Sequence, residues 1–166
     1  MTIDIRAARA DEMDRIRALL REYSEMVGVD LCFQNFEEEL ATLPGRYAPP
    51  RGELLIAISN DDAVGCIALR QFRDEAEVCE MKRPFVRAKY RGTGLGRRLA
   101  LAIIERGREL GYKKMRLDTL PQQVEAHRLY ESLGFYDVEP YSDFPIPGSR
   151  FLELVCGAGF HPARDF

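Results

Sequence analysis

Residues 90–98, with the sequence YRGTGLGRR, place three glycines at alternate positions between a predicted strand and a predicted helix. Glycines let the backbone approach a ligand closely and turn successive N–H groups toward it. The N-terminus of the helix adds the positive end of its dipole, and Arg91 and Arg97 can neutralise a diphosphate. The segment is therefore a candidate anion site, and the alternative is a glycine turn flanked by solvated arginines.

Two other phosphate-binding loops fail on spacing. The dinucleotide pattern G-x-G-x-x-G requires its third glycine at position 97, which is Arg97. The acidic residue expected at the end of the next strand would be Asp118, but it follows the wrong glycine pattern. A P-loop needs Gly-Lys-Ser/Thr after four spacer residues, and no such string occurs.

Hydrophobic periodicity predicts the elements that position this loop, in the order β-α-α-β-β-β-α-β-α-β-β. The predicted strands are residues 3–6, 54–58, 63–69, 77–86, 114–119, 136–138 and 151–156. The predicted helices are one between an N-cap at Asp11 and a stop at Gly28, then residues 33–43, 94–110 and 121–133. Pro84 interrupts the strand at 77–86. With no repeat or linker, we expect one α/β domain over residues 1–166.

Composition sets limits on the function. A chain of 166 residues with 46% hydrophobic and 31% charged residues can bury a core. A net charge of −3 gives no overall basic field, so we expect neither nucleic acid nor a membrane as a partner. The N-terminus lacks the pattern of a secretory signal, and no run approaches the ~18 apolar residues of a membrane span.

The cysteines and histidines argue against a metal site. The four cysteines are scattered without a C-x-x-C pair, and the chain has two histidines, so we expect no metal. Cys66 and Cys79 lie in apolar strands and are expected to be small buried hydrophobes. Cysteines of this kind favour a reducing compartment, and we expect a cytoplasmic protein.

The glycine loop and a second motif resemble those of one family. The loop that matches the R/Q-x-x-G-x-G/A pattern of the GNAT acetyltransferase superfamily is Arg91-Gly92-Thr93-Gly94-Leu95-Gly96. Downstream, the sequence AHRLYESLGF at residues 126–135 resembles its A-x-x-L-Y-x-x-x-G-F element. Residues 85–90 look like the strand end that precedes this loop. Two motifs at this separation, on these element types, make residues 77–138 similar to that superfamily.

The resemblance implies a fold and a cosubstrate. It implies a GNAT-like mixed, mostly antiparallel sheet, splayed between strands 4 and 5 and flanked by about four helices. Acetyl-CoA would bind with its pyrophosphate on the loop at residues 91–96 and Arg97. Its pantetheine arm would pair with the strand end at Phe85 and Val86 like an added strand. Gln123 stands three residues before Ala126, where the superfamily often has an asparagine that bonds the pantetheine.

The resemblance also assigns an acid. Transfer of an acetyl group to an amine needs removal of a proton from the ammonium, stabilisation of the oxyanion and a proton for the departing thiolate. Direct attack by the amine needs no nucleophilic Ser or Cys. Tyr130 corresponds to the motif tyrosine whose hydroxyl faces the cofactor sulfur in much of the superfamily, which implies the acid. His127 is at a variable position of the motif and is expected to be exposed.

Glu80 is the candidate base. It lies eleven residues before Arg91, where some superfamily members carry a strand glutamate as base. Strand alternation places Glu80 and Lys82 on one face of the strand. The alternatives are an ion pair of Glu80 with Lys82 or Arg70, with water as the base.

Pro84 is a departure from the family pattern. The superfamily commonly has a residue with an available N–H about two positions before the Val86 equivalent, where it donates to the thioester carbonyl. Pro84 has no N–H to donate. Either the N–H of Phe85 or Val86 takes over, or the oxyanion is less well stabilised.

We therefore expect an acetyl-CoA:amine N-acetyltransferase. The alternatives are a non-catalytic acyl-CoA-binding or sensor module on the same fold and a nucleotide-binding regulator that uses the glycine loop alone. Monomer and homodimer are both left open.

No single motif in the sequence specifies the acceptor. The resemblance implies that it is built by residues 27–50 and 139–150, which carry the aromatic residues Phe33, Tyr47, Tyr141 and Phe144. Arg70, Lys82 and Arg83 could hold a carboxylate, which favours a small amine such as an amino acid. No acidic groove for a lysine-rich protein tail is evident.

Overall fold

The computed structural model describes residues 2–28, 35–142 and 145–157. Helices and strands follow in the predicted order. The helices are α1 Met13–Val27, α2 Phe36–Ala41, α3 Leu95–Glu109 and α4 Val124–Ser132. The strands are β1 Asp4–Ala7, β2 Glu53–Ser59, β3 Asp62–Phe72, β4 Glu75–Val86, β5 Lys114–Thr119, β6 Tyr136–Asp137 and β7 Arg150–Val155. The predicted start of the second helix, Phe33, lies outside the described residues.

The strands form one seven-stranded sheet in the order β1-β2-β3-β4-β5-β7-β6. The β1–β2, β2–β3, β5–β7 and β6–β7 pairs are antiparallel, and β4 and β5 are parallel. The β4–β5 pairing covers three positions, from Val78–Lys114 to Glu80–Arg116. Beyond them β4 continues to Val86 and β5 to Thr119. This confirms the predicted mixed, mostly antiparallel sheet.

The chain divides into two compact units, and the division falls within β4. The first unit comprises Met1–Arg70 and Met81–Ile103, and the second comprises Gln71–Glu80 and Ile104–Phe166. In the first unit, one face of α1 and α2 packs on apolar side chains of β2, β3 and β4. The buried residues of this core are Met13, Ile16, Leu19, Leu20, Phe36, Leu40, Leu43, Tyr47, Leu54, Ile56, Ala63, Cys66, Ala68 and Phe85.

In the second unit, alternation along β5 and β7 separates an apolar face from a charged one. The buried apolar residues of these strands include Met115, Leu117, Leu152 and Leu154. The charged face carries Glu80, Arg116 and Glu153, which are aligned across β4, β5 and β7 by the strand register. The Arg116 Nε donates to Glu153 Oε2 at 2.8 Å, so charged side chains in this row hold one another.

The starts of α1 and α4 differ from the prediction, and α3 begins one residue later than predicted, at Leu95. Asp11 is not the N-cap of α1, because it lies inside a 3₁₀ turn and Glu12 takes the cap position. The Glu12 carboxylate accepts the Arg9 N–H at 2.9 Å and two bonds from Arg6 at 2.7 and 2.9 Å. Helix α4 begins at Val124 instead of Pro121. The predicted end of α1 is confirmed: Gly28 is left-handed, with φ 71°, and its N–H donates to the Ser24 carbonyl.

The predicted β2–β3 hairpin is confirmed. Asn60 and Asp61 form its turn, both with positive φ, which suits a two-residue hairpin and is tolerated best by Asn, Asp and Gly. β4 runs through Pro84 without a break, and the residue before the proline, Arg83, has φ 58°. The predicted interruption is therefore a local change of backbone direction within a continuous strand.

The predicted burial of Cys66 and Cys79 is confirmed. Cys66 and Cys79 are buried, as is Cys156, and burial raises the pKa of the Cys66 thiol to about 12. Cys32 lies outside the described residues. No group of three His, Cys, Asp or Glu within residues 2–28, 35–142 and 145–157 is arranged to hold a metal. In the same ranges no helix is long and apolar enough to cross a membrane.

Candidate active site

The glycine loop of the first unit forms a turn that leads directly into α3. Gly92 and Gly94 have φ of 78° and 85°, a backbone conformation that favours glycine. The Gly94 carbonyl accepts the Arg98 N–H at 3.1 Å, and the Thr93 hydroxyl donates to the Tyr90 carbonyl at 2.5 Å. The N–H groups of the first helical turn have no acceptor within the helix and point out of its N-terminus. The loop therefore presents several backbone donors at one exposed end of α3.

The space above the loop is open. A Cβ atom at Gly92, Gly94 or Gly96 would meet no atom of the protein within 4 Å. Gly65 is a contrast, because a Cβ there would come within 2.9 Å of the Phe85 carbonyl oxygen. Internal packing accounts for Gly65 but not for the loop glycines. Turn conformation accounts for two of the latter, and close approach of a ligand would account for all three.

Arg91 connects the loop to the end of β4. Its Nε donates to the Val86 carbonyl at 3.0 Å, its guanidinium carbon lies 5.9 Å from the centre of the Phe85 ring, and one of its terminal nitrogens contacts the Met26 sulfur at 3.0 Å. The side chain is exposed beyond these contacts. The structure thus brings together the predicted cofactor residues of the first unit, and Arg97 lies half-buried on the first turn of α3.

Arg83, a predicted carboxylate-binding residue, is held by a carboxylate of the protein itself. Its Nε and one terminal nitrogen donate to Glu39 at 2.9 and 3.0 Å, and only 4% of the residue is exposed. The rings of Phe36 and Tyr23 lie 5.1 and 5.8 Å from its guanidinium carbon. Arg83, bound by Glu39 in this bidentate way and covered by two rings, therefore forms a structural ion pair with it.

The contacts around Arg83 and Glu39 also shift the pKa values of Glu39 and Tyr47. Burial raises the pKa of Glu39, but the hydrogen bonds and charge of Arg83 outweigh burial and leave the pKa below its ordinary value. Tyr47 is also buried beside Glu39 without a hydrogen bond of ordinary geometry. Burial first, then the charge of Glu39, raises the pKa of this phenol, which stays protonated. Tyr47, expected in the acceptor site, belongs to this buried cluster.

The candidate base and acid lie in the second unit. Glu80 is 7% exposed. In the strand register it lies opposite Arg116, within the short segment where β4 and β5 pair as parallel strands. Tyr130 is on α4, is 5% exposed, and its ring meets Phe135 edge-on at 5.7 Å. The Phe135 N–H also donates to the Tyr130 carbonyl at 3.0 Å. A ring contact and a backbone hydrogen bond therefore join these two residues of the motif.

Gln123 and His127 both bind the backbone of Leu120. The Gln123 side-chain oxygen accepts the Leu120 N–H at 2.9 Å, and His127 Nε2 lies 3.0 Å from the Leu120 carbonyl oxygen. The expectation that His127 is exposed is wrong, because this contact leaves it half-buried.

In the segment expected to form part of the acceptor site, residues 139–150, the structure describes Tyr141, and Phe144 lies outside the described residues. Tyr141 packs edge-on between two rings of the second unit, Phe72 and Phe151. Sequence reasoning missed Glu39 as the partner of Arg83. It stands third in a run of glutamates from position 37, and nothing in the run distinguishes the one that meets Arg83, 44 residues away.

Comparison with known proteins identifies a matching family and several relatives. Residues 13–135 match the Acetyltransferase (GNAT) family. The chain is 42% identical over 144 residues to an uncharacterised N-acetyltransferase of Schizosaccharomyces pombe, covering 86% of this chain and 88% of that protein. It is 32% identical over 127 residues to the N-acetylaspartate synthetase of Danio rerio, covering 76% of this chain and 45% of the synthetase. The match thus spans less than half of that synthetase.

A solved structure shares the fold. The structure of yncA from Salmonella typhimurium, with its cofactor acetyl-CoA, superposes with a TM-score of 0.73 at 21% identity, covering 94% of this chain and 95% of that one. The family match extends over both the glycine loop and the tyrosine motif. The chain therefore belongs to the GNAT acetyltransferase family and is an acyltransferase.

Proposed function

We propose that this acyltransferase moves an acetyl group from acetyl-CoA to the amine of a small molecule such as an amino acid. The observation that carries the proposal is the loop before α3. Gly92 and Gly94 are left-handed there, the space above them is open, and the first-turn N–H groups lack helical acceptors. A diphosphate matches these donors in charge.

The chain's own residues fit acetyl-CoA as follows. The backbone N–H groups of residues 92–97 bind the pyrophosphate, with Arg91 and Arg97 as counter-charges. The β4 end at Phe85 and Val86 offers backbone groups for the pantetheine amides. The Gln123 NH₂ group donates to a pantetheine carbonyl, since its oxygen already accepts the Leu120 N–H.

The reaction proceeds by direct attack of the amine on the thioester. The ammonium of the acceptor gives its proton to Glu80, either directly or through a water. The amine nitrogen then bonds the carbonyl carbon, the C–S bond breaks, and the thiolate takes a proton from the Tyr130 hydroxyl. The second proton of the attacking nitrogen leaves as the amide forms and restores the Tyr130 hydroxyl. The developing oxyanion receives the N–H of Phe85 or Val86, because Pro84 has none.

An amino acid is the proposed acceptor, with L-aspartate the first to test. The printed name of the synthetase relatives describes the formation of an N-acetylated amino acid, and one of them is 32% identical to this chain. Arg70 and Lys82 are cations proposed to meet the acceptor carboxylate. Arg83 is excluded from that role, because its guanidinium is bound by Glu39.

The decisive experiment is thiol release from acetyl-CoA over a panel of amines. The panel contains L-aspartate, L-glutamate, L-alanine, putrescine and a lysine-containing peptide, and mass spectrometry identifies the acetylated product. We expect release that depends on an amino acid. Acetyl-CoA binding without release for any amine would favour the non-catalytic acyl-CoA-binding or sensor module. Thermal stabilisation by ATP, but not by CoA, would favour the nucleotide-binding regulator.

Tyr130→Phe tests the acid. The variant keeps the ring that packs on Phe135 and loses only the hydroxyl. We expect kcat to fall by about 10²-fold with an unchanged KM for acetyl-CoA, because a general acid acts late in the reaction. A rise in that KM with unchanged kcat would instead make the hydroxyl a binding group.

Glu80→Gln tests the base. The rate loss should be greatest at low pH, where the acceptor amine is protonated and removal of its proton limits the reaction. The measurement is kcat/KM for the acceptor between pH 6 and 9. A variant with the parental pH–rate profile would show that water takes the proton without Glu80.

A further inference from the structure

Met26 lies near the C-terminal end of α1, in the first unit, with 46% of the residue exposed. The other methionines that the structure describes, Met13, Met81 and Met115, are each 8% exposed or less. An oxidant in solution attacks a methionine at its sulfur, so susceptibility follows exposure. Within the part of the chain that the structure describes, Met26 is therefore the methionine that is open to oxidation.

The Met26 sulfur faces the arginine that begins the glycine loop. One terminal nitrogen of Arg91 lies 3.0 Å from this sulfur. The Nε of the same guanidinium donates to the Val86 carbonyl at 3.0 Å, and its central carbon lies 5.9 Å from the centre of the Phe85 ring. The guanidinium is thus held at the end of β4, with a terminal nitrogen turned toward the thioether.

An ion pair one turn earlier on α1 keeps Met26 in this place. Glu22 stands four residues before Met26 and so lies on the same side of the helix. Its carboxylate accepts three hydrogen bonds from Arg87, at 3.2, 3.0 and 2.7 Å. Another nitrogen of Arg87 donates to the Ala63 carbonyl at 2.8 Å. Because Arg87 directly follows β4, this pair fixes α1 beside the end of that strand.

The contact between Met26 and Arg91 is weak, and oxidation would make it strong. A thioether sulfur is a weak hydrogen-bond acceptor, so Arg91 can leave Met26 for a phosphate oxygen at little cost. Oxidation adds a polar oxygen to the sulfur, and a hydrogen bond from a charged donor to such an oxygen is among the stronger ones. The sulfoxide oxygen and a pyrophosphate would then compete for the same guanidinium.

Building on the proposed function, we propose that Met26 is a site of reversible oxidation that lowers the affinity for acetyl-CoA. Hydrogen peroxide is the oxidant: the sulfur bonds one peroxide oxygen, the O–O bond breaks, and the second oxygen leaves as water with both protons. The sulfur is oxidised and the peroxide is reduced. The sulfoxide oxygen accepts a hydrogen bond from Arg91 and withdraws this counter-charge from the pyrophosphate. A methionine sulfoxide reductase reverses the change.

The test measures acetyl-CoA affinity by calorimetric titration before and after treatment with hydrogen peroxide. The peroxide is removed first, and a dithiothreitol step reverses cysteine sulfenic acids and disulfides but leaves methionine sulfoxide in place. Peptide mass spectrometry confirms the oxidation of Met26. We expect the Kd of the treated parent to rise about tenfold, the size of one lost hydrogen bond to a charged group, and to recover after treatment with the reductase.

Three variants supply the controls. Met26→Leu keeps an apolar side chain of similar size without the sulfur, so its Kd should not respond to peroxide. Met26→Gln places an amide oxygen near the position of the sulfoxide oxygen, so its Kd should be raised up to about tenfold without any peroxide. In Arg91→Ala the sulfoxide has lost its partner, and peroxide should leave the already weakened affinity unchanged.

Four results would overturn the inference. Oxidation of a buried methionine ahead of Met26 removes the site itself, and parental affinity in a protein whose Met26 is oxidised removes the effect. An equal response to peroxide in Met26→Leu places the effect at another residue. A tenfold loss in oxidised Arg91→Ala shows that the guanidinium does not carry it. Failure of the proposed function is distinct, because the untreated parent would then bind no acetyl-CoA.

Discussion

Two places in the first unit use left-handed backbone, and they do so in opposite ways. In the loop before α3, Gly92 and Gly94 adopt positive φ, at which glycine has no steric penalty. On β4, Arg83 adopts φ 58° although it carries a long side chain, a conformation that costs on the order of 1–3 kcal/mol. The loop is exposed and built from backbone, whereas Arg83 is buried and held by Glu39 and two rings. Glycine adopts the left-handed conformation of the loop without support from other residues. The same conformation at Arg83 depends on the contacts with Glu39 and the two rings.

Breaking the Arg83 ion pair should therefore give the largest effect. Glu39→Gln leaves a buried guanidinium without its counter-charge, which typically costs about 3–5 kcal/mol. We expect the free energy of unfolding in urea to fall by that amount at pH 7. The control is Glu37→Gln, whose pair with Arg21, at 3.4 Å, is exposed and should matter by less than about 0.5 kcal/mol. Similar losses in both variants would contradict the role assigned to burial.

The pH dependence of that loss has a definite sign. Because the folded state lowers the pKa of Glu39, its stabilising charge is complete above the ordinary carboxyl pKa. The contribution is lost as the pH falls through the lowered value in the folded protein. The difference in unfolding free energy between the parent and Glu39→Gln should thus shrink on acidification from pH 7 toward 3. A difference that stays constant would mean that Glu39 is not the titrating group.

This contrast also shows which features of the structure could be predicted from the sequence. The loop was predictable because its function depends on glycine spacing and on the helix that follows, both of which are local. The Arg83–Glu39 pair was not, because it joins residues far apart in the chain and depends on how α2 packs. The start of α4 was missed for a different, local reason: the Gln123 side chain accepts the Leu120 N–H, and helix propensity does not encode that bond.

The next effect in size concerns the loop. Arg91→Ala combined with Gly94→Ala should weaken acetyl-CoA binding at least tenfold, because one charge-assisted contact is worth roughly 1.5–3 kcal/mol. The alanine at position 94 also disfavours the left-handed turn that orients the N–H groups. Calorimetric titration with acetyl-CoA measures the affinity.

A matched glycine separates binding from strain. Gly111, after α3, has φ 94° and open space at its Cβ, so Gly111→Ala imposes comparable backbone strain away from the loop. We expect its acetyl-CoA affinity to equal that of the parent. Unchanged affinity in the folded loop variant, or an equal loss in Gly111→Ala, would exclude residues 91–96 as the pyrophosphate site.

Pro84 lies on β4 between the left-handed residue Arg83 and the residues that lead to the glycine loop. It directly follows the left-handed Arg83 and precedes Phe85 and Val86, whose backbone leads to the loop through the Arg91–Val86 hydrogen bond. A positive φ followed by proline within a strand is typical of a bulge, where the proline needs no ladder donor. The fold thus tolerates Pro84, and its effect should be confined to catalysis.

Pro84→Leu should give the smallest change, an increase in kcat. Leucine restores an N–H where the family commonly uses one for the thioester carbonyl, and a well-placed donor of this kind is worth 10²–10³ in rate. Because the N–H of Phe85 or Val86 already serves in the proposed mechanism, we expect a gain of about tenfold or less, with unchanged acetyl-CoA affinity. Steady-state kinetics with the best panel amine measures it, after urea unfolding confirms that Arg83 and Glu39 still stabilise the fold. A variant that is slower than the parent, or equal to it, would show that Pro84 does not stand in the place of a missing donor. The N–H of Phe85 or Val86 would then already be the complete oxyanion partner, set in position by the left-handed Arg83.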